Sequence, residues 1–167
     1  VLIGDRRSEA KALNTQGAAL YLKGDLSGAL DHFQQCLRVD EALGDRSGIA
    51  AALANIGSIH FIMGDHAGAL DHYLRSLRLE EELGGGTSIA PTLNNIGLIY
   101  KELGDLPQAL AYFDRSFQIS EQRGDRKGVA SAWSHMGDAR SEQGDKASAL
   151  AHFERSLAIR RELDDRS

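Results

Sequence analysis

The sequence predicts an all-α fold, an α-solenoid of four helix-turn-helix repeats with eight antiparallel helices. Three features predict it: a period of 40 residues, apolar residues at helical spacing, and a Gly-Asp pair within each period. The motif Gly24-Asp25-x-x-x-Ala29-Leu30-x-x-Phe33 returns at Gly64 to Tyr73, at Gly104 to Phe113 and at Gly144 to Phe153. A fixed period of roughly 20 to 50 residues indicates stacked units, and such arrays usually bind other molecules rather than transform them.

Each period is predicted to contain two helices. In the second repeat Ile49, Leu53 and Ile56 recur at steps of three and four residues, which is the spacing of a helix with one buried face. The first helices are expected near 7–23, 46–63, 88–103 and 126–143, and the second helices near 26–43, 66–83, 106–123 and 146–163. We expect repeats at 7–45, 46–85, 86–125 and 126–167, the last including the next junction, with 1–6 as the end of a preceding repeat.

The Gly-Asp pairs are interpreted as helix punctuation. Gly64 is expected to end one helix in the left-handed conformation, and Asp65 to cap the next helix by accepting a backbone N–H. The junction Gly84-Gly85-Gly86 has no aspartate, so we expect it to be the loosest in the array. Thr87 or Ser88 must then cap the helix that follows.

A glycine inside each first helix indicates close helix packing. Mid-helix glycine costs roughly 1 kcal/mol relative to alanine, and close approach to the second helix would offset that cost. The glycines are Gly17, Gly57, Gly97 and Gly137. We expect small partners opposite them at Ala29, Ala69, Ala109 and Ala149, and aromatic side chains filling the space between helices at Phe33, Tyr73, Phe113 and Phe153.

Composition and charge exclude several classes of partner. The formal net charge of -5 and the pI near 5.7 give no reason to expect nucleic acid or an anionic membrane surface, which generally require a concentrated basic face. No apolar run approaches the length of a membrane span. Cys36 is the single cysteine, which excludes an internal disulfide and a multi-cysteine metal site. A cytoplasmic location is expected.

The two ends of the sequence repeat the internal junctions. Ile3-Gly4-Asp5-Arg6 matches Leu43-Gly44-Asp45-Arg46, and Leu163-Asp164-Asp165-Arg166 repeats the pattern. Neither end is interpreted as a polar capping repeat, which solenoids need for solubility. We therefore expect a fragment of a larger protein, with apolar end faces that cause end-to-end self-association of the fragment.

The repeats resemble the tetratricopeptide repeat, whose pattern is W-x2-L-G-x2-Y followed by A-x3-F and a proline. The first segment is Leu93-Asn94-Asn95-Ile96-Gly97-Leu98-Ile99-Tyr100 in the third repeat, and Trp133-Ser134-His135-Met136-Gly137 supplies the tryptophan in the fourth. The period is 40 rather than about 34, and the closing proline is absent. This longer form resembles Pins-type adaptors, kinesin light chains and bacterial regulatory proteins.

The resemblance implies a right-handed superhelix whose first helices line a concave groove for a peptide or a partner's helix. Asparagine amides in such a groove suit a peptide backbone, because they carry both donors and acceptors. Asn55 and Asn95 are explained equally well by bonds to neighbouring helices. Carried over to this sequence, the groove residues are Lys11, Asn14, Ala18, Tyr21, Asn55, Ser58, Phe61, Asn94, Asn95, Leu98, Lys101, Ser134, His135 and Asp138.

The groove composition indicates a ligand of mixed polarity. Lys11 and Lys101 are far apart in the sequence, which disfavours a clamp for a terminal carboxylate. Asp138 and Glu142 make the fourth repeat acidic, so the part of the ligand bound there is expected to be basic.

Two functions are consistent with this pattern. The first is a protein-protein interaction scaffold that binds a peptide or partner helix in the groove. The alternative is a regulatory, spacer or self-association arm of a larger signalling or transcription protein. An enzyme is not expected, because no nucleophile sits beside a base and no glycine-rich phosphate loop follows a strand. No cofactor is expected, and zinc binding by His60, His66 and His72 is disfavoured because their spacing alternates helix faces.

Overall fold

The structure, a computed structural model, describes residues 3–85 and 89–164. Over these ranges the chain forms eight α-helices joined by tight turns, so the all-α prediction is confirmed. Seven of the helices begin and end within about one residue of the predicted bounds. The helices are α1 (Ile3–Leu22), α2 (Leu26–Leu43), α3 (Arg46–Ile62), α4 (His66–Glu82), α5 (Ile89–Glu102), α6 (Leu106–Gln122), α7 (Arg126–Glu142) and α8 (Lys146–Asp164).

The helices form two compact halves, Val1–Ser88 and Ile89–Ser167. In the first half each helix packs against the next one along the chain, from α1 to α4. In the second half α5 to α8 pack in the same order, and α5 also contacts α7. Each half therefore contains two helix pairs stacked on one another.

Aspartate caps separate the helices as predicted. In every cap the Oδ1 atom accepts the backbone N–H three residues further on, at 2.9 to 3.1 Å. This bond satisfies one of the free N–H groups in the first helical turn. The capping residues are Asp25, Asp45, Asp65, Asp105, Asp125 and Asp145.

Helix α1 begins earlier than the start predicted near residue 7. The helix begins at Ile3 and runs through Gly4-Asp5, so this Gly-Asp pair lies inside a helix rather than at a junction. Asp5 lies in the first turn, where a carboxylate interacts favourably with the helix dipole. Asp5 therefore stabilises this helix from within its first turn instead of capping it.

The junction after α4 uses two glycines in the left-handed region. Gly84 has φ 84° and Gly85 has φ 70°, and the Gly85 N–H donates to the carbonyl of Glu80 at 2.7 Å. These values favour glycine at both positions. The predicted caps Thr87 and Ser88, and Gly86 before them, lie outside the described residues.

Aromatic rings, not alanines, are the nearest neighbours of the mid-helix glycines. A Cβ atom built on Gly97 would lie 2.5 Å from the ring of Phe113, and one on Gly57 would lie 3.2 Å from the ring of Tyr73. Gly17 and Gly137 face Phe33 and Phe153 in the same way. The predicted alanine partners are buried, but the atoms nearest to each glycine belong to the aromatic ring. The flat ring needs the space that a missing side chain leaves.

A buried hydrogen bond joins the two helices of each repeat. Ser76, Ser116 and Ser156 donate to the carbonyls of Ala50, Ala90 and Ala130 at 2.7 to 2.9 Å. In the first repeat the Cys36 Sγ takes this place and donates to the carbonyl of Ala10 at 3.3 Å. Burial raises the pKa of Cys36 to about 12, so the thiol stays protonated. Cys36 is thus a packing residue, as its position in the repeat predicts.

Candidate functional site

Each half contains one cavity between its two first helices. The first cavity, between α1 and α3, has a volume of about 390 Å³. It is lined by Arg7, Ala10, Lys11, Asn14, Cys36, Asp40, Asp45, Gly48, Ala51 and Ala52. The second cavity, between α5 and α7, has a volume of about 340 Å³. It is lined by Ala90, Pro91, Asn94, Asn95, Asp125, Lys127, Gly128, Ser131 and His135.

The two cavities occupy equivalent places in the repeat. A shift of 80 residues converts most of the first lining set into the second. The equivalent pairs are Ala10 and Ala90, Lys11 and Pro91, Asn14 and Asn94, Asp45 and Asp125, Gly48 and Gly128, and Ala51 and Ser131. The cavity therefore follows from the repeat itself, and its chemistry changes where the paired residues differ.

Five of the groove residues named from sequence line these cavities. Lys11 and Asn14 lie in the first, and Asn94, Asn95 and His135 lie in the second. The remaining groove residues do not line either cavity: Ala18, Tyr21, Asn55, Ser58, Phe61, Leu98, Lys101, Ser134 and Asp138.

Asn14 and Asn55 bond to each other across the first half. The Asn55 Nδ2 donates to the Asn14 Oδ1 at 2.8 Å, and both side chains are half-buried. This contact is the structural alternative expected for Asn55. It orients the Asn14 amide at the edge of the first cavity and occupies its carbonyl oxygen.

Asn94 has an unsatisfied acceptor at the second cavity. Its side chain is 8% exposed, and its Oδ1 is buried without a hydrogen-bond partner. A buried acceptor without a donor costs about 1 to 3 kcal/mol. A ligand that brings an N–H or O–H group into this cavity would remove that cost.

Lys101 already has charged partners. Its Nζ lies 2.9 Å from a carboxylate oxygen of Glu142 on α7 and 3.2 Å from one of Glu102. The hydrogen bond to Glu142 is the main reason that the pKa of Lys101 is raised. Of the two acidic residues expected to make the fourth repeat acidic, Glu142 is therefore already paired. Asp138 is exposed and forms no ion pair with the described residues.

His135 packs as an uncharged ring. It stacks on Phe113 with ring centroids 5.2 Å apart. Burial lowers the pKa of His135, which keeps the imidazole neutral near pH 7. It therefore offers the second cavity one donor and one acceptor and no charge.

The groove residues outside the cavities differ in exposure. Ser58 bonds to the carbonyl of Ala54 at 3.0 Å and lies 2.8 Å from the hydroxyl of Tyr73. Leu98 packs against the core around Phe113. Ala18, Tyr21 and Asp138 are exposed, while Phe61 and Ser134 are half-buried.

Asp40 was missed by sequence reasoning. It is 4% exposed at the C-terminal end of α2 and lines the first cavity, and Glu80 and Ser120 are buried at the equivalent positions. Its Oδ2 lies 3.4 Å from the Cys36 Sγ and shares the single thiol hydrogen with the carbonyl of Ala10. Burial is the main cause of the raised pKa of Asp40. The sequence does contain a signal for this burial. Each of these residues follows the buried Cys or Ser by four positions and so shares its helix face.

Two negative findings concern the described part of the chain. None of its helices is long and apolar enough to cross a membrane. No group of three or more His, Cys, Asp or Glu side chains in residues 3–85 and 89–164 could hold a metal ion. His60 instead stacks on His72, with centroids 5.1 Å apart, and its Nδ1 lies 2.8 Å from Asp65.

Comparison with known proteins supports the fold. The sequence model of the tetratricopeptide repeat family matches residues 48–122 and 88–162, which together cover more than half of the chain. A search of the curated proteins gives no match to this sequence.

Three solved structures are similar to this chain. BtubC (BKLC) from P. vanneervenii has a TM-score of 0.83 and 19% identity over 93% of this chain and 64% of its own. MamA has a TM-score of 0.71 and 19% identity over 93% of this chain and 81% of its own. Aspartyl phosphate phosphatase F from Bacillus subtilis has a TM-score of 0.89 and 15% identity over 96% of this chain and 42% of its own. This chain thus spans less than two thirds of the first and the third of these proteins.

Proposed function

Because the chain belongs to the tetratricopeptide repeat family, we propose that it is a protein-interaction scaffold that binds a peptide or partner helix along its first helices. Members of the family generally mediate contacts between proteins. The observation that carries the proposal is the recurrence of one cavity at equivalent positions in both halves, lined by polar side chains of the first helices. Repetition of a site suits an extended ligand, which presents similar groups at intervals.

The unpaired acceptor of Asn94 supports the same proposal. In a nearly buried position it lowers stability unless a donor reaches it, and the open cavity beside it gives a ligand access. The remaining groove residues are proposed as further contacts with the ligand. Lys101 would contact it as part of its ion pair with Glu142. The proposal includes no catalytic step, and it places the protein in the cytoplasm.

A display selection with a groove-blocking variant tests this function. Peptides selected on the wild-type chain are expected to lose binding to Ala51→Arg by at least about ten-fold, because Ala51 is exposed and lines the first cavity. The matched control is Ala111→Arg, an exposed alanine on the second helix α6. Binding by isothermal titration calorimetry that survives Ala51→Arg, or that is lost equally in Ala111→Arg, would place the ligand elsewhere.

A second candidate function, self-association, is favoured by the exposed apolar surface of α8. Leu150, Phe153 and Leu157 lie on this surface and are 59%, 37% and 47% exposed. The equivalent residues of α6, Leu110, Phe113 and Phe117, form a core with Met136 and Ala139 of α7. The α8 surface is therefore the same one that a following first helix covers elsewhere in the repeat.

The surface of α1 does not match this apolar surface. Glu9 and Gln16 are exposed on α1, whereas α7 has the buried Val129 and Met136 at the equivalent positions. The face of α1 that corresponds to the covering face of α7 is therefore polar at these two positions. Two copies would associate through their α8 surfaces, tail to tail, since the corresponding face of α1 carries the exposed polar residues Glu9 and Gln16.

Analytical ultracentrifugation tests the second candidate. The wild-type chain is expected to dimerise at high micromolar concentration, and Leu150→Lys to shift it toward monomer. Leu22→Lys is the control, because Leu22 is exposed at the end of α1. A wild-type chain that remains monomeric throughout would rule out association through α8.

A further inference from the structure

Asp40 is a nearly buried carboxylate with one weak hydrogen bond. It is 4% exposed, and the thiol of Cys36, at 3.4 Å from its Oδ2, is the only hydrogen-bond donor to its side chain among the described residues. A buried charge is costly unless it is paired and hydrogen-bonded. The free protein therefore holds this carboxylate at a cost, and raises its pKa, mainly through burial.

The two cationic residues that line the same cavity do not neutralise Asp40. Arg7 and Lys11 line the same cavity, but neither forms an ion pair with Asp40 in the part of the chain that the structure describes. Both are exposed side chains on α1. Asp45, which also lines the cavity, adds a second negative charge, and its Oδ1 accepts the Gly48 N–H at 3.0 Å.

The cavity around Asp40 has room and suitable walls for a long side chain. Its volume is about 390 Å³, and Ala10, Ala51 and Ala52 line it with methyl groups. Aliphatic stems of lysine and arginine pack on such apolar walls while their charged ends remain paired or hydrated. A ligand's cationic end that reached Asp40 would meet the carboxylate that the protein leaves unpaired.

The second cavity provides an internal comparison. The position equivalent to Asp40 is Ser120, and that of Lys11 is Pro91. The Asn94 Oδ1, which lines this cavity, and the Ser120 Oγ are buried without a partner, and both are uncharged. The fold alone therefore does not require a carboxylate at this place.

We infer that the first cavity is a subsite for a cationic side chain, a lysine or an arginine, of a bound peptide, with Asp40 as its charged acceptor. The inference rests on the proposed peptide-binding function and adds the chemistry of one ligand residue. Arg7 and Lys11 at the cavity then favour an acidic residue next to that cation in the ligand, since they remain free to pair with it.

Titrations with small probes, followed by nuclear magnetic resonance of the backbone amides, test the subsite alone. The probes are N-acetyl-lysine methylamide and N-acetyl-arginine methylamide, with N-acetyl-citrulline methylamide as the uncharged counterpart of arginine. The two cations are expected to shift Gly48 and Ala51 but not Gly128 and Ser131, and citrulline to shift none of them. A difference in affinity between the lysine probe and the arginine probe would identify the preferred cation.

Asp40→Asn is the decisive variant, because it removes the charge and keeps the shape. It is expected to weaken probe binding by about ten-fold, which is typical for loss of a hydrogen bond to a charged group. Its denaturation midpoint is expected to equal or exceed that of the wild type, so weaker binding would not reflect unfolding. Asp31→Asn is the matched control, since Asp31 is exposed on the same helix.

Three outcomes would overturn the inference: no shifts with either cation, equal shifts with citrulline, or equal binding by Asp40→Asn. The two proposals can fail separately. Peptides that bind the wild type, fail on Ala51→Arg and bind Asp40→Asn unchanged would leave the scaffold function standing and remove the cation subsite. If the probes bind in an Asp40-dependent way but no peptide is selected, the cation subsite stands and the scaffold function fails.

Discussion

Phe113→Ala is expected to lower the free energy of unfolding by about 3 to 5 kcal/mol, as large-to-small changes of a buried aromatic do. The Phe113 side chain is 0% exposed and packs with Ala109, Met136 and Ala139 between α6 and α7. Its removal leaves a cavity that these neighbours fill only in part. Chemical denaturation followed by circular dichroism measures the loss.

Phe153→Ala is the matched control for this prediction. Phe153 holds the same repeat position on α8 but is 37% exposed, because no helix in the described residues covers it. Its loss is expected to cost less than half as much as that of Phe113. A cost below about 1 kcal/mol for Phe113→Ala would contradict the packing described for the second half.

Gly97→Ala is expected to destabilise the protein by about 1 to 3 kcal/mol, although alanine is the better helix former. The added Cβ atom would lie 2.5 Å from the buried ring of Phe113. Overlap of this size must push the ring or the helix aside, and that cost exceeds the roughly 1 kcal/mol gained in helix propensity.

Gly57→Ala separates the cost of overlap with the aromatic ring from the gain in helix propensity. Its Cβ atom would lie 3.2 Å from the ring of Tyr73, so a shift of a few tenths of an ångström is enough. Its free energy of unfolding is expected to change by less than half as much as that of Gly97→Ala. Thermal denaturation that ranks Gly57→Ala as the more destabilising of the two would contradict the close glycine-aromatic contact.

The helix bounds could be predicted from sequence because they depend on local chemistry. A glycine that ends a helix and an aspartate that caps the next act within a few residues, as Gly64 and Asp65 show. The start of α1 was predicted wrongly because a Gly-Asp pair is also compatible with a helical turn, as Asp5 shows.

The pairing of groove side chains could not be predicted in the same way. Asn55 bonds to Asn14, and Glu142 bonds to Lys101, across 41 residues in both cases. The period places these residues on neighbouring helices, but side-chain length and rotamer decide whether they meet. The sequence therefore predicts which residues lie on neighbouring helices, while the division into paired and free groups required the structure.

Asp40 was missed because charged residues are almost never fully buried. The sequence pattern places it on the same face as Cys36, but the general rule favours exposure for an aspartate near a helix end. Departures of this kind from the general rule concentrate at functional sites, which is the reason for testing Asp40 rather than an exposed groove residue.

The left-handed backbone of Gly84 and Gly85 after α4 limits which residues this junction accepts. At the other junctions the capping aspartate has a negative φ, for example -83° at Asp105, whereas Gly85 has φ 70°. A single mutation to aspartate at Gly85 would introduce backbone strain before it could provide a cap. Conversion to the usual junction therefore needs a change of backbone conformation as well as a change of residue.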